Sequence, residues 1–448
     1  MKKDKFKEMT EGSVKLQVCK MAVPTIITML ITSIYNMADT YFVGKLGTSA
    51  TGGVGVVYAY MTVIQAIGFF FGHGSGNYIS RKLGEKKPEE STVMAATGFF
   101  TSLAFGTLIA VLTFLFLSPI CRLLGATETI LPYARDYLFY ILLAAPFMMG
   151  ALVLNNQLRF QGNANIGMIG MVSGGILNMA LDPLFIFTFD MGIGGAGCAT
   201  MISQIVSFVI LIIGCTKFSQ VKISIKNFSL KMRWYLEIFR GGVPSLCRQG
   251  LGSISSICLN NMAKPFGDPA IAAISVVTKV SMFIVSALIG FGQGFQPVCG
   301  FNYGAKKFGR VREAFWFSVK VAFIFLVIVG VIVFIFAPEV ILLFTKNDAK
   351  VLEIGSLALR FQCIVLPLNS FIILANMMLQ TMGRAVPATI VAMARQFLCF
   401  LPVLFITVPL LGLLGIQLTQ PLADLLAFGI AVPFTFRELK KLKTEQSA

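Results

Sequence analysis

Charge is scarce in this chain: 13% of its 448 residues are Asp, Glu, Lys or Arg, where a soluble domain carries about 25%. With 56% hydrophobic residues and a mean hydropathy of +0.80, an ordinary soluble protein is excluded. The nine cysteines stand singly, mostly in apolar segments and without a C-x-x-C pair, so neither a disulfide framework nor a zinc site is indicated; they read as small apolar packers. No P-loop is present, which excludes ATP-driven pumping by this chain alone. A D-D-x-x-D run is also missing, and with it the metal-binding aspartates of a membrane prenyltransferase. No short apolar stretch with a cleavage site opens the chain, so the first span is expected to be an uncleaved anchor.

What is present is a series of apolar runs long enough to cross a hydrocarbon core of about 30 Å. The pattern predicts an all-α polytopic membrane protein of about twelve transmembrane helices, from residues 16–43 to 413–436. The net charge of +17 follows topology. Basic residues gather at the N-terminus (Lys2, Lys3, Lys5, Lys7), around Arg81 to Lys87, along a central linker from Lys217 to Arg240, around Lys306 to Arg312, and at Arg437 to Lys443. The alternate loops carry few (Lys45, Arg122, Lys264, Lys346, Lys350). By the positive-inside rule both termini are cytoplasmic, in the cell membrane, with anionic lipid against the basic loops. No basic stretch is interleaved with stacking aromatics, so nucleic acid is not an expected partner.

The chain is also written twice. A shift of 220 residues lays Pro24 on Pro244, Gly47 on Gly267, Gly72 and Gly74 on Gly292 and Gly294, Gly84 on Gly304, and Lys86-Lys87 on Lys306-Lys307. Further on, a shift of 221 lays Pro146 on Pro367, Asn155 on Asn376 and Gly162 on Gly383. Six spans per copy make the repeat parallel: two six-helix bundles related by a pseudo-twofold axis along the membrane normal. The expected lobes are 1–216 and 236–448, joined by a cytoplasmic linker over 217–235. Glycine clusters inside the second and eighth spans predict close helix approach. His73, the only histidine, is expected to pack or hydrogen-bond there rather than relay protons.

An ionisable group inside a span costs at least about 2.5 to 3.5 kcal/mol, so each one demands an explanation. Most acids fall in loops or outer turns. Asp39, late in the first span, and Asp182, well inside the fifth, do not, and they form the expected functional pair. The second copy has Leu259 and Leu401 at these positions, which suggests that only the first half kept its acids. Asn178 and Asp182 share one helix face, and Pro183 frees the Met179 carbonyl. That oxygen-rich patch suits a proton or a small cation. If the first and fifth spans face one another the two carboxylates meet, and a low-dielectric pocket disfavours ionising both. Tyr35 and Asn36 share the last turns of the first span with Asp39. Pro24 and Pro244 are expected to bend the opening span of each lobe. The bases Arg248, Lys279 and Arg395 have several options open: pairing with first-lobe acids, snorkelling, or lining an aqueous cavity.

The run Asp39-Thr40-Tyr41-Phe42-Val43-Gly44-Lys45-Leu46-Gly47 resembles multidrug and toxic compound extrusion (MATE) transporters. So do the stretch Asn178 to Pro183 (NMALDP), the segment Gly192 to Thr200 (GIGGAGCAT) and the 6+6 repeat. The resemblance implies a V-shaped pair of bundles that exports cationic or amphipathic compounds in exchange for H⁺ or Na⁺, with no other cofactor. It places ion coupling at Asp39, Asn178, Asp182 and Thr200, and lets Tyr35, Asn36 and Asn155 line a substrate cavity. The seventh span, beginning Pro244-Ser-Leu-Cys-Arg-Gln-Gly-Leu-Gly, lacks the carboxylate that some branches carry there. A monomeric antiporter is therefore expected, coupled through its first lobe. The alternative is a lipid or lipid-linked sugar flippase of related architecture, which would need a basic cavity. A major-facilitator transporter fits less well, because Ser80 to Ser91 (SRKLGEKKPEES) lacks that family's loop Asp.

Overall fold

The computed structural model describes residues 5–344 and 348–447; Lys2, Lys3 and Lys346 lie outside the described residues. The first lobe is built from α1 (Val14–Gly44), α2 (Thr48–Gly84), α3 (Pro88–Leu115), α4 (Leu131–Phe160), α5 (Ala164–Thr188) and α6 (Gly192–Phe218). The second contains α7 (Met232–Ala263), α8 (Asp268–Gly304), α9 (Phe308–Ile335), α10 (Ala349–Val365 and Leu368–Thr381), α11 (Ala385–Leu411) and α12 (Leu413–Ser447). Among the described residues ten of these helices are long and apolar enough to cross a membrane, and the broken α10 makes an eleventh. The twelfth, α7, has the length but not the apolar window: beyond Arg240 it carries Arg248, Gln249 and a run of glycines and serines.

The duplication is repeated in the backbone. Gly47 and Gly267 both turn with positive φ, as do Gly162 and Gly383, and Lys86 and Lys306 share the same left-handed φ of 59°. Prolines behave less uniformly than expected. Pro24 and Pro244 sit inside the unbroken helices α1 and α7, whereas α10 breaks by 57° between Val365 and Leu368, where Pro367 lies. In α5, Pro183 is followed by a π turn, Leu184–Thr188; a second π turn, Ala394–Leu398, lies in the equivalent helix α11. The linker is clamped to the first lobe: the Gln161 side-chain oxygen accepts from Ser219, Gln220 and Val221.

The lobes meet through α1 against α8 and α2 against α7, a pairing that obeys the pseudo-twofold axis. Glycine makes this seam possible. A Cβ at Gly294 would stand 2.3 Å from the Ala22 Cα, one at Gly74 2.4 Å from the Ile238 carbonyl oxygen, and one at Gly304 2.0 Å from the Arg81 carbonyl oxygen. These approaches are to backbone, which cannot step aside. Polar bonds close the same end: Arg81 Nη1 donates to the Thr381 carbonyl at 2.7 Å, Thr381 Oγ1 donates to Asn77 Oδ1 at 2.9 Å, and Arg81 pairs with Glu237 at 3.4 Å. This is the basic end, where Lys307 and Arg310 bond the N-terminal segment at Thr10 and Gly12. Toward the other end, the outermost hydrogen bond between the lobes among the described residues joins Ser33 to Ser286 at 3.2 Å. Past it Met37, Tyr41 and Met282 are exposed, and the lobes part.

Candidate functional site

Ion-binding chemistry requires oxygens that are buried and not already used, and the first lobe holds such a set. Asp39 on α1 and Asp182 on α5 are 8% and 0% exposed. The two helices pack closely because Gly175 leaves room: a Cβ there would lie 3.1 Å from Ile31 and 3.2 Å from the Tyr35 ring. Asn178 Nδ2 donates to Asp182 Oδ1 and to Thr200 Oγ1 on α6, both at 3.3 Å. Tyr137 on α4 donates its hydroxyl to Asp39 Oδ2 at 3.3 Å. Four helices thus converge on two carboxylates, which lie within electrostatic range of each other.

Three oxygens there have no hydrogen-bond partner although fully buried: Asp39 Oδ1, Asp182 Oδ2 and Asn178 Oδ1. Ser203 Oγ on α6 is similarly unpartnered. Beside them a cavity of about 10 Å³ is lined by Tyr35, Asn178, Thr200, Ser203 and Gln204 among others, room for about one water or bare cation. A donor set made only of oxygen fits a proton or a hard cation. No cluster of His, Cys, Asp and Glu that could hold a metal occurs among the described residues.

Of the residues expected in this region, Asp39, Asn178, Asp182, Thr200 and Tyr35 come together. Asn36 does not join them: its amide turns back to the Thr32 carbonyl at 2.8 Å. Asn155 sits nearer the basic end of α4, against Gly167 of α5. Tyr137 is the contributor that sequence reasoning missed.

One expectation is corrected outright. The second lobe did keep a buried acid, Asp424 on α12, which is 0% exposed. Arg395 pairs with its Oδ1 at 2.9 Å, and Gln420 donates to the same oxygen at 2.8 Å. Gln362 and Asn369 donate to Oδ2 at 3.1 and 3.0 Å. Arg395 therefore neither reaches a first-lobe acid nor snorkels. His73 behaves as expected, fully buried with Nδ1 against the Phe69 carbonyl and Nε2 against Arg159, both at 3.2 Å.

The family model MatE matches the chain twice, over residues 24–184 and 244–406. The Multidrug export protein MepA of Staphylococcus aureus (strain N315) is 30% identical over 397 residues, 88% of this chain and 87% of that protein. MepA of Staphylococcus saprophyticus is 29% identical over 426 residues, covering 95% and 94%. A solved structure described as the outward-facing conformation of a multidrug resistance MATE family transporter of the MOP superfamily superimposes with a TM-score of 0.92. It is 26% identical and is covered, like this chain, over 98% of its length.

Proposed function

The chain belongs to the MATE family of multidrug efflux transporters, and on that premise we propose that it is an antiporter which expels amphipathic compounds in exchange for H⁺ or Na⁺. The observation that carries this reading is the trio of unpartnered buried oxygens on Asp39, Asn178 and Asp182. Two ionised carboxylates facing each other with spare lone pairs are stable only when a proton or a cation supplies what the protein does not. Around Asp424 both carboxylate oxygens are occupied, and the bare oxygen there is the amide Oδ1 of Asn369.

In the proposed cycle the basic end faces the cytoplasm, with both termini and anionic lipid beside it. The present arrangement, sealed there by the glycine seam and parted at the far end, is the outward-facing state. Entry of H⁺ or Na⁺ from outside cancels one of the two negative charges of the acid pair, relieves their repulsion and lets α1 and α5 repack around Tyr137 and Thr200. Substrate then leaves the gap between the lobes, the seam opens, and the ion is released inward. One charge moved through 100 mV supplies about 2.3 kcal/mol, a bias of about fiftyfold on a two-state cycle.

Efflux of a fluorescent amphipathic dye into everted vesicles, with H⁺ and Na⁺ gradients imposed separately, tests this directly. Accumulation that follows one gradient and collapses with the matching ionophore is expected. Accumulation indifferent to both gradients would remove the antiport reading.

A further inference from the structure

Among the described residues, arginines stand beside the inter-lobe seam without a carboxylate paired to them. On α7, Gly241 meets the Gly74 backbone of the opposing α2. Arg248 lies seven residues further along α7, about two turns, so it projects from the same face just past the seam. Its Nη1 donates to Asn376 Oδ1 at 3.0 Å, which leaves most of the guanidinium's five N–H groups for other partners.

On the first-lobe side of this seam, bonded to His73 next to Gly74, Arg159 is buried at 1% exposed. Its Nη2 donates to Asn156 Oδ1 at 2.6 Å and to His73 Nε2 at 3.2 Å, and its guanidinium lies 4.8 Å over the Phe160 ring, while Nε and Nη1 have no hydrogen-bond partner. The two arginines lie within electrostatic range of each other, and their hydrogen-bond partners are neutral. A third cation, Lys279 on α8, is exposed two turns beyond Ser286, on the face that meets Ser33 of the other lobe. The buried acids are turned away: Asp39 bonds Tyr137 inside the first lobe, and Asp424 is occupied by Arg395 inside the second.

Two guanidinium groups on the two sides of one seam, each bonded only to neutral side chains, repel each other, and burying either without a counter-charge is costly. A planar oxyanion between them removes both penalties and matches the fork geometry of arginine. A cationic ligand would add a like charge. We propose that the cleft recognises an oxyanion group, a carboxylate, phosphate or sulfonate, through Arg248 backed by Arg159, with Lys279 at the mouth. Calling the bearer of that group a substrate rests on the transport reading above; the site itself does not. The same chemistry would be met by a soluble amphipath or by an anionic lipid headgroup.

The test uses a matched fluorescent pair, dansylglycine with its carboxylate and dansylglycinamide without it, titrated onto the purified full-length protein. Wild type is expected to bind the carboxylate about tenfold or more tightly than the amide. Arg248→Gln should reduce that preference to about twofold or less by weakening carboxylate binding more than amide binding, while Arg248→Lys keeps part of it. Lys279→Gln, at an exposed position that puts no fold at risk, should lower the preference by a smaller factor. Equal binding of both probes by wild type, or equal weakening of both by Arg248→Gln, would overturn the proposal. In nanodiscs, displacement of dansylglycine by phosphatidylglycerol but not phosphatidylcholine identifies a lipid headgroup as the bearer; no displacement identifies a soluble compound. Charge-selective binding without gradient-driven efflux would refute the transport reading and leave the site standing, and efflux without charge selectivity would do the reverse.

Discussion

Each lobe buries aspartate in its interior, and the two treat it in opposite ways. Around Asp424 four donors, Arg395, Gln420, Gln362 and Asn369, occupy both carboxylate oxygens. Around Asp39 and Asp182 the donors are fewer and longer, and one oxygen of each acid is left bare. A fully satisfied carboxylate has no affinity to spare and serves the fold. A half-satisfied pair is a poor structural element and a good binding site. The duplicated architecture therefore contains one lobe whose acid is fully bonded and one whose acid pair keeps bare oxygens.

The largest effect should come from breaking the lobe with the fully bonded acid. Asp424→Asn leaves Arg395 buried without its counter-charge, and losses of about 3 to 5 kcal/mol follow from removing one partner of such a pair. Thermal unfolding in detergent would show it, and the double change Arg395→Met with Asp424→Leu should recover most of the loss. Asp39→Asn and Asp182→Asn remove charges that the fold does not need, so their unfolding temperatures should match or exceed wild type.

The next effect concerns the frame that both lobes share. Gly304→Ala or Gly294→Ala places a methyl where the opposing backbone already stands, so the basic end cannot close. Transport should fall by more than about tenfold while the protein remains folded, and a thiol probe at the basic end should label more rapidly than in wild type. A milder version is Arg81→Gln, which removes the bonds to Thr381 and Glu237. Its cost of about 1.5 to 3 kcal/mol for a charge-assisted bond should shift the same labelling by about tenfold or more.

The smallest effect sharpens the lobe with the bare oxygens. Tyr137→Phe deletes one hydrogen bond to Asp39, worth about 1 kcal/mol. The concentration of coupling ion giving half-maximal transport should move by about fivefold, with little change in maximal rate. No movement would mean that Asp39 is not tuned by Tyr137.

Much of this was legible before any coordinates. The repeat, the spans, and the meeting of Asp39 with Asn178, Asp182 and Thr200 follow from spacing, from the expense of buried charge and from the family resemblance. Asn36, expected to line a substrate cavity, stays out of the acid cluster because its amide is taken by the Thr32 carbonyl. Asp424 was visible by the same cost of buried charge, well inside the expected span 413–436, and was overlooked. What spacing does not give is its pairing, since Arg395 lies 29 residues away on another helix. Tyr137 is one of ten tyrosines, and only the packing of α4 against α1 singles it out. The inter-lobe glycines were visible as clusters, but which backbone each would meet depends on how two lobes dock.

The account stands or falls on which lobe couples the ion. In proteoliposomes loaded with dye, under separately imposed H⁺ and Na⁺ gradients, wild type and the folded Arg395→Met/Asp424→Leu variant should both transport in response to the same gradient. Asp39→Asn and Asp182→Asn should respond to neither. Gradient-driven transport that survives in both first-lobe variants, or that disappears in the folded second-lobe variant, would contradict it.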